Sequence, residues 1–391
     1  MTNFIYDNPT RIIFGKGEHK NVGKIISEYG VFEKVLLHYG SGSIKQNGCY
    51  DDIISSLKEN NIEYYELSGV EPNPKLSLVR KGVEVCREKD IQLILAVGGG
   101  SVIDSAKAIA FTARGTHDAW DYFEGTVKPY SSIPVATVLT LSASGSEMSS
   151  SCVITNDELG LKRGCSTEFN RPLFSILNPE LTYSVNKFQT ACGIVDIMMH
   201  TLERYMTKEG AASPTDDIAK VIVKSTMRNG LIALDNPNDY EARAALMWNG
   251  TLSHNGITGL GRDYFMISHQ IEHEVSGKYD RISHGAGLAI IFPAWCKWAY
   301  KLNVERFVDF ALNIMEVEKQ DTDENTILLA IEKLYDFFKK IGMPTHLSDV
   351  GINDSAFDEM AEKCTSYGKR ILPGYVNYGV KEIVEILNIA K

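Results

Sequence analysis

The first half of the chain alternates between two periodicities, whereas the second half keeps to one. Val35–Tyr39, Leu93–Val97 and Ile133–Leu139 are short apolar runs rich in branched or aromatic residues and bounded by Gly, Pro or Ser, which is how strands read. Between them, Asp51–Asn60 and Leu76–Lys89 carry helical spacing. Strands alternating with helices imply a largely parallel sheet covered on both faces, with ligands at the carboxyl ends of its strands. Beyond about residue 185 the strand pattern stops. Asp217–Asn229, Ala242–His254, Val304–Val317 and Thr326–Ile341 read as helices, with Gly230, Gly256 and Gly342 where helix stops are expected. The expectation is an α/β domain over residues 1–185 followed by an all-helical domain over residues 186–391, packed around one cleft. A length of 391 residues suits two cores better than one.

Each predicted strand runs into small residues. Gly98-Gly99-Gly100-Ser101 follows Leu93–Val97 and opens a helix expected from near Val102, carrying Asp104, Ala106 and Lys107. Glycines let the backbone approach an anion, and a helix N-terminus presents free N–H groups and partial positive charge. The segment departs from the usual dinucleotide fingerprint, because Ile103 occupies the third glycine position. A tight turn without a ligand would read the same way, so the weight rests on two further loops. Gly40-Ser41-Gly42-Ser43-Ile44-Lys45 follows the first strand, and Thr140-Leu141-Ser142-Ala143-Ser144-Gly145-Ser146-Glu147 follows the third. No acid stands between Gly40 and Gly48 to hold a ribose 2′-hydroxyl, whereas Ser41, Ser43 and Lys45 can donate to a phosphate. That favours NADP(H) over NAD(H).

The second half contains metal-ligand spacing. In the mostly apolar segment 191–206, Asp196, His200, Glu203 and Thr207 fall on one helical stripe. A carboxylate in such a helix is costly unless something offsets it, either a histidine partner or a metal ion. His269 and His273 repeat the i, i+4 spacing, and His284 opens the next apolar helix. One carboxylate with several imidazoles forms a nitrogen–oxygen site suited to Fe²⁺, Zn²⁺, Co²⁺ or Ni²⁺ rather than Ca²⁺ or Mg²⁺. His19, His38, His117 and His346 read as ordinary core or surface residues, and His254 lies on a helix that can border the site.

Composition narrows the partners. The formal charge of −10 and the lack of a long basic run argue against nucleic acid and anionic membrane. No apolar run reaches the roughly 20 residues that span a bilayer. The start, Met1-Thr2-Asn3-Phe4, is not a basic-then-apolar leader, so a cytoplasmic location is expected. Seven cysteines with no C-x-x-C pair point to reduced, packed thiols rather than a disulfide framework or zinc ribbon.

Taken together, Gly98-Gly99-Gly100-Ser101-Val102-Ile103-Asp104, Ser144-Gly145-Ser146-Glu147, Asp196…His200 and His269…His273…His284-Gly285 resemble the iron-dependent (group III) alcohol dehydrogenases, and within them the branch of NADPH-dependent butanol dehydrogenases. The likeness runs from Ile12-Ile13-Phe14-Gly15-Lys16-Gly17 to Leu372-Pro373-Gly374. It implies an N-terminal parallel-sheet dinucleotide-binding domain, a C-terminal all-α metal-binding domain in a dehydroquinate synthase-like architecture, and a homodimer. It assigns Asp196, His200, His269 and His284 as metal ligands, with Fe²⁺ expected. His273, by the same resemblance, faces the nicotinamide without binding metal and joins Asp196 and His200 in the catalytic set. The dinucleotide contacts expected are Gly40, Ser41, Ser43, Gly98, Gly99, Gly100, Ser101, Asp104, Thr140, Leu141, Ser144, Ser146 and Lys162. Ser144 stands where many relatives carry Thr and keeps the hydroxyl. The implied reaction is hydride exchange between NADP(H) and a small primary alcohol or aldehyde. The alternative is a metal- and NAD-dependent lyase like dehydroquinate synthase, which would need a basic pocket. Only Arg262, Lys278 and Arg281 stand near the metal motif for that purpose.

Overall fold

The computed structural model describes residues 1–208 and 213–391. The chain divides into two compact units: Asp7–Val185 with Asn236–Thr251, and Met1–Tyr6 with Asn186–Asp235 and Leu252–Lys391.

In order along the α/β unit come β1 (Arg11–Phe14), α1 (Val22–Glu28), β2 (Lys34–Gly40), α2 (Ser43–Gln46), α3 (Cys49–Glu59), β3 (Glu63–Val70), α4 (Leu76–Glu88), β4 (Leu93–Gly98), α5 (Gly100–Arg114), α6 (Ala119–Phe123), β5 (Val135–Leu139), β6 (Ser151–Asn156), β7 (Leu161–Ser166) and β8 (Phe174–Leu177). Six strands form one sheet in the order β1-β8-β5-β4-β2-β3, and every pairing in it is parallel. Alternation of side chains explains why its strands read as unbroken apolar runs. Leu93, Leu95 and Val97 of β4 enter the core on one face with Val35 and Leu37 of β2, while Ile94 and Ala96 enter the core on the other with Leu36. β5 starts at Val135, after Pro134, which offers no N–H to the ladder. β6 and β7 form a separate antiparallel pair.

The helical elements that follow are α7 (Lys187–Tyr205), α8 (Thr215–Asp235), α9 (Tyr240–His254), α10 (Ile267–Lys278), α11 (His284–Ala299), α12 (Val304–Asn313), α13 (Asp323–Lys340), α14 (Phe357–Cys364) and α15 (Val380–Ala390). Residues 236–251, carrying most of α9, group with the α/β unit. Met247 is buried in that unit's core, and the Trp248 ring meets Phe14 edge-on at 6.4 Å. Gly256 and Gly342 follow α9 and α13 in the left-handed backbone region, as helix stops do. Gly230 does not stop a helix. It lies within α8, where a Cβ would sit 2.7 Å from Ile194 Cδ1 of α7, so the glycine permits close helix packing. Trp295 and Phe265 are buried among aromatic neighbours as core. No helix among the described residues is long and apolar enough to cross a membrane. All seven cysteines are free and buried.

Candidate active site

α7 is buried on every face from Thr190 to Tyr205, so its polar residues need partners. Asp196 and His200 stand one turn apart. Around Asp196 Oδ1 lie His200 Nδ1 at 3.3 Å, His269 Nε2 at 3.8 Å and His284 Nε2 at 3.7 Å. The first two imidazoles and the carboxylate are almost fully buried, while His284 is a quarter exposed. Among the described residues, Asp196 Oδ1, His200 Nδ1 and His269 Nε2 find no hydrogen-bond partner, although each is buried. The separations of 3.3–3.8 Å between Asp196 Oδ1 and the three nitrogens match the edges of a coordination shell with bonds of about 2.0–2.2 Å. The residues present therefore fit a divalent cation. Of the four candidate ligands, Asp196, His200 and His269 form one close group, and His284 lies beside it through its 3.7 Å approach to Asp196, while also grouping with Glu272 and His273.

The remaining nitrogens explain how the rings are held. Glu203, on the same stripe of α7, pairs with His269 Nδ1 and also accepts from the backbone amides of Ser268 (2.6 Å) and His269 (3.2 Å). Glu272 of α10 pairs with His284 Nδ1. Burial pulls the His269 pKa down, but Glu203 and Asp196 outweigh it and raise it to about 9. Burial, and then the neighbouring His254, pushes His200 well below its ordinary value and leaves it neutral. The ring centres of His200 and His254 are 4.0 Å apart. His273, one turn beyond His269 on α10, is half-buried, with its ring 5.5 Å from that of His284.

In the α/β unit the chain passes from the edge strand β3 back across β2 to β4, which makes the gap between β2 and β4 a switch point where ligands settle. The three loops named from the sequence leave the adjacent strands β2, β4 and β5 at the same edge. Thr140 N donates to Gly98 O at 3.1 Å. A Cβ on Gly99 would sit 3.1 Å from Leu141 Cβ, and one on Gly100 would strike the Ser144 hydroxyl, so the glycines let the 140–146 loop lie close against this turn. α5 begins at Gly100, aiming its free N–H groups at this edge.

Ser41 and Ser43 are exposed beside that edge. Lys45 lies over the Tyr50 and Tyr39 rings at 4.5 and 5.3 Å. An acid does stand nearby, on β3. Glu66 accepts from Tyr39 (2.6 Å) and Tyr50 (2.8 Å), a placement that no reading of residues 40–48 could show. Asp104 and Ser146 are taken up within the protein: Ser146 Oγ donates to Asp104 at 2.6 Å, and Val153 N donates to the other carboxylate oxygen at 3.0 Å. Lys107, which the sequence did not single out as functional, is buried and donates to Ser146 O (2.6 Å), Ser149 O (3.0 Å) and Ser151 O (2.9 Å). Lys162 is buried on β7 and donates to Asn73 at 3.0 Å.

With this geometry in place, comparison with known proteins is decisive. Residues 9–179 match the model of "Iron-containing alcohol dehydrogenase", and residues 190–390 match that of "Fe-containing alcohol dehydrogenase family, C-terminal". The chain belongs to the iron-containing alcohol dehydrogenase family. Among family members, it is 41% identical over 389 residues to NADH-dependent butanol dehydrogenase A of Clostridium acetobutylicum, covering 99% of each chain. It is 35% identical to the NADPH-dependent aldehyde reductase YqhD of Escherichia coli, over 94% of each. The crystal structure of NADH-dependent butanol dehydrogenase A from Thermotoga maritima superposes with a TM-score of 0.96 at 39% identity, covering 100% of this chain and 99% of that one. Membership of the iron-containing alcohol dehydrogenases favours hydride transfer over the lyase alternative.

Proposed function

We propose that this chain exchanges hydride between NADP(H) and a small primary alcohol or its aldehyde, of butanol and butyraldehyde size. The observation that carries the reading is the group of three unpartnered buried atoms, Asp196 Oδ1, His200 Nδ1 and His269 Nε2, with His284 Nε2 beside them. Asp196, His200, His269 and His284 would hold a divalent cation, Fe²⁺ by family and Zn²⁺, Co²⁺ or Ni²⁺ as other occupants. Such a cation supplies Lewis acidity toward the substrate oxygen, and the nicotinamide supplies or takes the hydride.

The protein's own part is to bind, orient and move a proton. His273, half-buried and close to His284, is suited to pass a proton at an imidazole nitrogen. The amides at the start of α5, with Gly98, Gly99, Gly100 and Ser101, cradle the pyrophosphate. Gly40, Ser41 and Ser43 take the adenosine ribose side, and Thr140, Leu141, Ser144 and Lys162 complete the contacts. Asp104 and Ser146 act through one another and Lys107, fixing the shape of the 144–151 segment.

The choice of NADP(H) rests on the residues. Ser41 and Ser43 offer hydroxyls, and Glu66 on β3 is held by two tyrosines. The relatives named above are labelled with either NADH or NADPH. A homodimer and a cytoplasmic location belong to the same reading. Among the described residues β1 is an edge strand, paired with β8 alone, and in this reading its other edge faces the second copy.

The test is steady-state consumption of NADPH and of NADH with butyraldehyde, alongside elemental analysis of wild type and His284→Ala. We expect turnover with bound metal in the wild type and joint loss of both in the variant. An active, metal-free His284→Ala would end this reading.

A further inference from the structure

We propose that Glu203 and Glu272 are positioning residues for the cation, and that they set how tightly it is held. The inference rests on the ligand assignment above and concerns two side chains outside that ligand set.

Glu203 is 2% exposed and Glu272 is fully buried. A carboxylate can only accept hydrogen bonds, so a neutral imidazole whose Nδ1 faces one must carry its proton there. His269 and His284 are both in this position, held by Glu203 and Glu272. The lone pair of each ring is thereby assigned to Nε2, the nitrogen that faces Asp196 Oδ1 at 3.8 and 3.7 Å. The two devices are built separately. Glu203 is anchored by the amides of Ser268 and His269 at the start of α10, so α7 and α10 are locked in register where the ligand is presented. Glu272 reaches from α10 to the first residue of α11, past Gly287. A Cβ at Gly287 would sit 2.7 Å from Glu272 Cγ, so the absence of a side chain there admits the carboxylate.

Charge points the same way. Asp196, Glu203 and Glu272 place three buried carboxylates around three imidazoles. Buried carboxylates are costly without compensation, and a divalent cation offsets two of the three charges. A carboxylate behind an imidazole also makes its other nitrogen a stronger donor to metal. The pair therefore fixes both the direction of the ligand lone pairs and their donor strength.

The test uses the full-length protein, stripped with a chelator and titrated with Zn²⁺ against a competing chelator at fixed pH. Circular dichroism on the same samples reports the fold. Glu272→Gln keeps an acceptor for the Nδ1 proton but removes the charge, whereas Glu272→Ala removes both. The zinc dissociation constant should rise about 10–100-fold in Glu272→Gln, and further in Glu272→Ala, with the fold retained. Glu203→Gln should show a loss of the same order. Should its two backbone amides make that variant unfold, the Glu272 pair decides alone. If Glu272→Gln and Glu272→Ala both bind zinc within twofold of wild type while His284→Ala loses it, the positioning role is wrong and the ligand assignment stands. If His284→Ala itself binds zinc like wild type, the ligand assignment fails and this inference falls with it.

Discussion

The backbone of Gly287 on α11 lies so close to Glu272 on α10 that a methyl group there would stand 2.7 Å from Cγ and 2.8 Å from Oε1 of the glutamate. Ordinary contact would require Glu272, or the helix itself, to move. Glu272 is fully buried and holds His284, so it cannot yield without shifting that ring. Gly287→Ala should therefore cost about 1–3 kcal/mol of stability, the usual range for overpacking, and weaken metal binding although no ligand is altered. Thermal melting with and without Zn²⁺ measures both. A variant that melts and binds zinc like wild type would show that the helices part easily.

Removal of the central acceptor should be more severe. Asp196 Oδ1 lies within 3.8 Å of a nitrogen from each of His200, His269 and His284. Asp196→Asn preserves shape and removes the charge that offsets the cation. We expect metal content after dialysis to fall to a small fraction of wild type, and butyraldehyde reduction to fall with it, while the far-ultraviolet dichroism stays unchanged. Metal analysis together with steady-state rates checks this. Full metal occupancy in the variant would place the cation elsewhere.

The candidate metal stripe is legible because helix periodicity is local, although the choice of His269 over His273 comes from the family resemblance and not from spacing. Asp196 and His200, or His269 and His273, are one turn apart in any helix that contains them. Their partners were less so. Glu203 lies on the same stripe and Glu272 between two histidines, but what each touches depends on how α7, α10 and α11 pack, and that packing is set by distant residues such as Gly287. Gly230 shows the limit from the other side. In sequence it looks like a helix stop, yet Ile194 of α7 packs where a Cβ at this glycine would stand and α8 runs on. Likewise, α9 shows helical spacing, but nothing in that spacing says that Met247 and Trp248 pack with the parallel sheet's unit. Glu66 is not legible beside the Gly40–Ser43 loop because it sits on β3, remote from that loop in sequence.

The cofactor reading has its own test. Ser41→Asp places a carboxylate where a 2′-phosphate is expected and where a 2′-hydroxyl would be welcome. We expect kcat/KM for NADPH to fall and that for NADH to hold or rise, moving their ratio at least tenfold, or about 1.4 kcal/mol. The change should lie mainly in KM. An unchanged ratio would remove this loop from cofactor selection.

Acid stability offers a prediction remote from the metal. His38 is fully buried on β2, with Nδ1 2.8 Å from Leu67 O and Nε2 2.9 Å from Ser105 Oγ of α5. The carbonyl can only accept, so Nδ1 carries the proton and Nε2 accepts from the serine. Burial lowers the pKa to about 4, against an ordinary value of 6.5. Above pH 6.5 the ring is neutral whether the chain is folded or not, and its contribution to stability is fully present. As pH falls from 6.5 toward 4, the unfolded chain takes up a proton that the folded chain refuses, and stability is lost, by at most about 3 kcal/mol. His38→Gln retains a donor and an acceptor but does not titrate. Its unfolding free energy, from denaturant titrations at several pH values, should therefore decline less than that of wild type between pH 6.5 and 4. Parallel curves for the two proteins would mean that His38 is not the group responsible.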